Sequence, residues 1–200
     1  MSEPASGTTE RLFVAVWPPD PVRVAATDAM RACRGAGDVK WVADSQLHLT
    51  LKFLGEVTPE QQRSLPAVLQ EIANDFSHFM VHLSGVGAFP DLRRPRTLWL
   101  GLEPSPDIQA LVDRVEDGML QVRIPRADAP YRAHLTLGRV RSVRGAAALS
   151  ARFSAWRGER VAWPVQTITL VRSELRTGGA EYTTLGSWAL RADGAEGQTE

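Results

Sequence analysis

The sequence predicts an α+β fold with antiparallel sheets, and three observations carry that prediction. Segments with strand-like character outnumber those with helical spacing of apolar residues. Strands and helices do not alternate strictly, as a doubly wound parallel sheet would require. The tetrapeptide His-Leu-Thr-Leu occurs twice, at residues 48–51 and 134–137, which points to two related lobes. The expected architecture is bilobal, with pseudo-symmetric antiparallel sheets flanked by helices around a central cleft. A chain of 200 residues has enough interior for one such unit.

The elements follow in order. Residues 1–10 and 192–200 are polar and rich in small side chains, so both are expected to be disordered tails around a single domain over 11–191. RLFVAVWPP, from Arg11, has the character of a buried strand stopped by Pro18 and Pro19, and residues 21–34 carry helical spacing. VKWV and LHLTLKFLG are two further strands. Residues 59–76 place Leu65, Val68, Leu69 and Ile72 at helical intervals, with Thr58 as the cap and Pro59 at the first helical position. A second such helix spans 105–121. Between the two helices, FMVHLSGV and RTLWLGL are strands joined by a loop over 87–96. After Pro130 come the strand AHLTLGRV, a polar, glycine-containing connection, and the closing strands VQTITLVRSEL and YTTLGSWAL.

Composition narrows the function classes. The 23 basic and 23 acidic side chains cancel, so no overall charge draws the chain to DNA or an anionic membrane, and an anionic ligand must be met locally. Only Lys40 and Lys52 are lysines; the other basic residues are arginines, whose planar fork suits phosphate, although an arginine-favouring genome explains the bias equally well. The single cysteine, Cys33, excludes an intrachain disulfide and is assigned to packing. Residues 1–10 lack the apolar run of a signal peptide, and no stretch has the length of a membrane span. A cytoplasmic setting is the expectation.

The repeated motif carries the chemistry. Side chains alternate along a strand, so His48 and Thr50 share one face while Leu47, Leu49, Leu51 and Phe53 fill the other. In the second copy His134 and Thr136 oppose Ala133, Leu135 and Leu137. A lone His-x-Thr on a half-exposed strand is ordinarily just solvated, but two identical copies are poorly explained by solvation or packing. If the lobes face each other, one cleft holds both pairs. Imidazole titrates near pH ~6.5, so at neutral pH one histidine can act as a base and the other as an acid. Phosphodiester hydrolysis needs that pair, one to take a proton from water and one to protonate the departing alkoxide. The threonine hydroxyls can donate to the non-bridging oxygens, and neither a metal nor another cofactor is required.

These residues resemble the two-histidine (2H) phosphoesterases, specifically the RNA 2',3'-cyclic phosphodiesterases also called 2'-5' RNA ligases. The resemblance runs through RLFVAVWPP, VKWVADSQLHLTLKFLGEV, RTLWLGLE, HLTLGR and LVRSELRTGGAEYTTLGSWAL. It implies a LigT-like fold, with His48 as proton donor to the leaving group, His134 as proton acceptor from water, and Thr50 and Thr136 as phosphate-binding residues. It also implies a role for Arg139, the basic residue after the second motif. Strict alternation puts Arg139 on the apolar face, so the strand must end or bulge after Gly138 for it to reach the cleft. Ala133 departs from the family, which commonly has proline before this histidine.

Other residues have plainer roles to set beside functional ones. His78 and His82 lie four apart, which would suit a metal on a helix, but FMVHLSGV is a strand and both are expected to be solvated. Arg93, Arg94 and Arg96 are equally well read as a guide for an RNA backbone or as a solvated charge run. Phe13 and Trp41 are available to stack on a base, though core packing is the more usual fate of each, and Tyr182 is a further ligand contact. A monomer is the expectation, and the resemblance implies that it acts on RNA ends or nucleotides bearing a 2',3'-cyclic phosphate, leaves a 2'-phosphate, and can run in reverse as a 2'-5' ligase. Two other readings stand beside it: a cyclic phosphodiesterase of small nucleotides such as ADP-ribose cyclic phosphate, and an RNA-end binding module without turnover.

Overall fold

The computed structural model describes residues 8–177 and 179–192. Its frame is one sheet of nine strands in the order β7-β4-β5-β6-β3-β1-β8-β9, with β2 paired to β6 beside this path. The strands are β1 (Glu10–Val16), β2 (Val39–Trp41), β3 (Leu49–Val57), β4 (Phe79–Phe89), β5 (Thr97–Leu102), β6 (His134–Val140), β7 (Ala162–Val165), β8 (Thr167–Arg176) and β9 (Gly179–Ala189). The helices are α1 (Asp20–Ala32), α2 (Pro59–Asp75), α3 (Pro106–Gln121) and α4 (Ala146–Ala155). Every pairing between these strands is antiparallel.

The sheet divides where β3 meets β6. On one side β3, β1, β8 and β9 carry α2 and α3; on the other, β6, β5, β4 and β7 carry α4 and α1. This is the expected pair of lobes, each with two helices and four strands of the main path, and β2 lies beside β6 in the second. The main core fills the helix-covered face, with Leu12, Val14, Leu49, Leu69, Leu111, Leu135 and Leu149 all buried in it. A much smaller apolar cluster, Phe13, Ala15 and Val171, lies on the opposite face with Trp17 and Tyr182 against it. That second face is the cleft.

Several boundaries differ from expectation for physical reasons. The tails lie mostly outside the described residues, but β1 already begins at Glu10, and the Thr9 hydroxyl donates to Glu56 at 3.0 Å. The connection after β6 contains α4, whose Leu149 and Phe153, one turn apart, are fully buried. The short edge strand β7 tolerates Pro164 because one side of an edge strand needs no ladder bond. β4 runs on to Phe89, through Gly87, because the Trp99 ring lies across that glycine and leaves no room for a Cβ. The capping box at α2 is present: Thr58 Oγ1 accepts from the Gln61 amide and Gln61 Oε1 accepts from the Thr58 amide.

Candidate active site

The two motif strands meet at one pair, Leu49 opposite Leu135. Carried one residue either way, that antiparallel register sets His48 across from Thr136 and Thr50 across from His134, all four on the cleft face. Cross-strand diagonal neighbours of this kind lie about 7–8 Å apart. The two imidazoles are therefore diagonal neighbours across the two motif strands. The leucines go the other way and are fully buried, so the core fixes the register that aligns the histidines.

Both rings are held in the same manner. His48 Nδ1 lies 2.7 Å from the carbonyl oxygen of Gln46, and His134 Nδ1 lies 2.7 Å from that of Arg132. In the neutral ring a carbonyl partner requires Nδ1 to carry the proton, which leaves Nε2 unprotonated and able to accept one. The Gln46 carbonyl belongs to a 3-10 turn, Asp44–Gln46, pinned to α1 by Arg23, whose guanidinium donates to the Asp44 carbonyl at 2.7 Å. The Gln46 side chain braces the turn internally, accepting from the Ala43 amide at 3.1 Å, and donates to the Ala180 carbonyl at the start of β9.

The aromatic surroundings differ between the lobes. His48 is boxed by Phe13, Trp17 and Tyr182, with ring centroids at 4.8, 5.8 and 5.3 Å. His134 packs edge-on against Phe89 at 4.9 Å and near Trp99 at 6.2 Å, with the Arg132 guanidinium 4.5 Å from the Trp99 ring. Burial pushes the pKa of each histidine below its ordinary value. For His48 the backbone bond to Gln46 opposes that shift and the charge of His134 adds to it. For His134 the bond to the Arg132 carbonyl opposes it and the Arg132 guanidinium adds to it. Burial raises the Tyr182 phenol, against the charges of Arg139 and Arg11.

A bulge follows each motif. Opposite β1 the register skips Leu51, between Thr50 paired with Ala15 and Lys52 paired with Val14. Opposite β5 it skips Leu137, between Thr136 paired with Trp99 and Gly138 paired with Leu98. Each bulge inverts the alternation beyond it. Arg139 thus reaches the cleft face, one residue earlier than a bulge after Gly138 would achieve. The same inversion corrects the expectation for Phe53. It does not fill the apolar face but is 71% exposed, with its ring 6.0 Å from that of Phe13. Lys52 takes the inward position, 4% exposed, where its Nζ bonds Glu116 of α3 at 2.5 Å and the Pro125 carbonyl at 2.8 Å.

His48, His134, Thr50, Thr136, Arg139, Phe13 and Tyr182 are thus brought to one face. Trp41 is not: it packs on the main core and lies against Gly138. His82 faces Glu103 at 3.8 Å, whereas His78 precedes β4 and bonds through its amide to the Arg191 carbonyl. Among the described residues no three His, Cys, Asp or Glu side chains converge as a metal site. Cys33 is buried at the end of α1, and desolvation raises its thiol pKa. Arg93 and Arg94 donate their amides to Asp91 in an exposed turn just beyond Phe89. Trp17, Phe89, Trp99 and Arg132 join the site without having been singled out from sequence. For Trp99 a signal existed, because alternation sets it with Thr97 and Gly101 against Leu98, Leu100 and Leu102.

Comparison with known proteins agrees with this geometry. Residues 18–177 match the family model of the 2'-5' RNA ligase superfamily. An RNA 2',3'-cyclic phosphodiesterase of Thermus thermophilus is 33% identical over 95% of both chains. One of Archaeoglobus fulgidus is 36% identical over 66% of this chain and 73% of its own. The crystal structure of a Thermus thermophilus protein superposes with a TM-score of 0.77 at 34% identity, covering 92% of this chain and 99% of that one. The structure of E. coli LigT complexed with 3'-AMP gives 0.72 at 26% identity, over 91% and 98%. The doubled motif, the paired lobes and a match spanning most of the sequence together make the chain a member of the 2'-5' RNA ligase superfamily.

Proposed function

We propose that the protein opens the 2',3'-cyclic phosphate at an RNA end or on a nucleotide, leaving a 2'-phosphomonoester. The observation that carries the reading is the Leu49–Leu135 pairing, which sets two carbonyl-oriented imidazoles on one face with both Nε2 atoms available. In the forward step a water oxygen attacks phosphorus while its proton passes to His134 Nε2. The bond from phosphorus to O3' breaks, and His48 supplies the proton that O3' needs. Thr50, Thr136 and the cleft-facing Arg139 bind the non-bridging oxygens, whose charge grows in the transition state. Phe13 and Tyr182 form the wall beside the nucleoside. Arg132, next to His134, favours the neutral ring required of a base.

The proposed enzyme acts as a cytoplasmic monomer, and its chemistry routes no step through a metal. The decisive assay offers a 2',3'-cyclic mononucleotide and a cyclic-ended oligonucleotide in excess chelator, with phosphorus NMR of the products. Turnover to a 2'-phosphate is expected. A 3'-phosphate would exchange the roles of the two histidines, and metal-restored activity would refute the metal-free mechanism. Absence of turnover would favour a binding module over an enzyme.

A further inference from the structure

The two motif strands are joined by a single register pair, Leu49 opposite Leu135, so little backbone pairing fixes one histidine relative to the other. The approach to the second motif is not held by backbone either. Among the described residues, no backbone-to-backbone hydrogen bond involves residues 125–133. Side chains hold this segment instead. At its far end the Lys52 ammonium of β3 donates to the Pro125 carbonyl at 2.8 Å, and the Ala127 amide donates to Glu116 of α3 at 3.2 Å. At its near end the Tyr131 hydroxyl donates to the Thr50 carbonyl at 3.1 Å. That bond crosses from the approach of one motif strand to the backbone of the other. The Tyr131 ring packs against the main core, and burial raises the phenol pKa, so the hydroxyl keeps its proton to donate.

Tyr131 directly precedes the residue that orients His134. The Arg132 carbonyl oxygen lies 2.7 Å from His134 Nδ1, and the Arg132 guanidinium lies 4.5 Å from the ring of Trp99, a neighbour of that histidine. Between Arg132 and His134 stands Ala133, which carries no group to bond and does not lock φ as proline would. A shift of the segment at Tyr131 therefore passes to the Arg132 carbonyl, and from it to the imidazole. From this geometry we infer that Tyr131 is a positioning residue, whose bond to the Thr50 carbonyl sets the place of His134 relative to the first motif. The inference rests on the acid/base reading of the histidine pair given above. Tyr131 takes no part in proton transfer; it acts through the Arg132 carbonyl. Its bond also holds the backbone of Thr50, two residues beyond His48, so one hydroxyl ties the two copies of the motif together. Misplacing a reacting group by about 1 Å costs about 10²-fold in rate, which gives a hydroxyl outside the reacting groups its leverage.

The test is steady-state hydrolysis of a 2',3'-cyclic adenylate by the full chain and two variants. Tyr131→Phe keeps the ring in the core and removes the hydroxyl. Thr58→Ala removes the cap of α2, a loss of similar size beyond the far end of β3. Tyr131→Phe should lower kcat about ten- to a hundredfold and change KM by less than about twofold, because Thr50, Thr136 and Arg139 remain to bind the phosphate. It should also move the rising limb of kcat/KM to lower pH. The bond to the Arg132 carbonyl raises the His134 pKa, so loosening that bond lowers it. The charged groups that act on the two rings, the Arg132 guanidinium and each histidine on the other, are unchanged in this variant. Thr58→Ala should leave both kcat and the limb in place. A Tyr131→Phe variant with kcat within about twofold of wild type, with its loss confined to KM, or with an unmoved or raised limb would overturn the inference. So would equal losses of kcat in the two variants. A wild-type chain inert toward the cyclic adenylate would instead refute the acid/base reading itself.

Discussion

Binding of substrate should move the whole pH profile of this enzyme upward. The proposed forward hydrolysis needs His48 protonated and His134 neutral, yet burial lowers both pKa values from the ordinary ~6.5. In the free enzyme the protonated His48 population therefore declines early, and kcat/KM should already fall with rising pH below the ordinary histidine value. The bound substrate brings a phosphodiester anion between the rings, which favours the charged form of each. Two unit charges about 4 Å apart interact by about 1 kcal/mol in water and about 4 kcal/mol near a protein surface. At about 1.36 kcal/mol per pH unit that is roughly 0.7–3 units. Because kcat reports the bound complex and kcat/KM the free enzyme, the falling limb of kcat should lie higher by about that amount. The limbs belong to the coupled pair, so the displacement between profiles is the quantity to measure. Steady-state rates on a cyclic mononucleotide across the acidic and neutral range supply both profiles. Coincident profiles, or a free-enzyme limb above the ordinary histidine value, would refute the reasoning.

Three further outcomes follow from named contacts. His48→Ala and His134→Ala should each lower the rate by about 10²–10⁴, and the double variant should lose less than the product of the two, as single-turnover rates will test. Arg132→Gln removes the cation that holds His134 down, so the rising limb of kcat/KM should shift to higher pH; an unmoved or lowered limb contradicts that cause. Lys52→Met leaves Glu116 buried without its ionic partner and should cost about 3–5 kcal/mol. For a chain of this size that lowers Tm by about 6–20 °C. Lys52→Met with Glu116→Leu should recover much of the loss, and calorimetry showing no difference between single and double variants would count against the buried pair.

The fold and its two histidines are legible in the sequence because alternation is a local property. His48 and His134 appear in strands whose leucines alternate cleanly, and the repeat itself announces two lobes. The pattern ceases to be informative at each bulge, since one extra residue inverts every face beyond it. Phe53 and Arg139 both lie past such a point. For Arg139 the conflict between alternation and resemblance foretells a bulge, while nothing in the sequence raises the same question for Phe53. Lys52 falls by alternation on the cleft face and instead finds its partner 64 positions away on α3. Carbonyl partners such as those of Gln46 and Arg132 are set by how a loop enters its strand, and residue identity does not record that. The helix α4 is hidden for a different reason: only Leu149 and Phe153 mark its buried face in a run otherwise made of alanine, serine and arginine.

The near-symmetry of the two lobes sharpens the question of how one histidine could serve as the proposed acid and its twin as the proposed base. Motif, bulge and carbonyl orientation are the same on both sides, so none of them can distinguish the rings. What differs is the shell. His48 stands in a box of three aromatic rings with no guanidinium among the causes of its shift, whereas His134 has Arg132 two residues before it and stacked on the adjacent Trp99. A positive charge near an imidazole penalises its protonated form. Burial and Arg132 thus weigh against the protonated form of His134, while burial and the charge of His134 weigh against that of His48. The position after each bulge repeats the contrast, with Phe53 in one lobe and Arg139 in the other. A repeated strand thus supplies two matching imidazoles, and Arg132 beside one and the aromatic box around the other make their surroundings unequal.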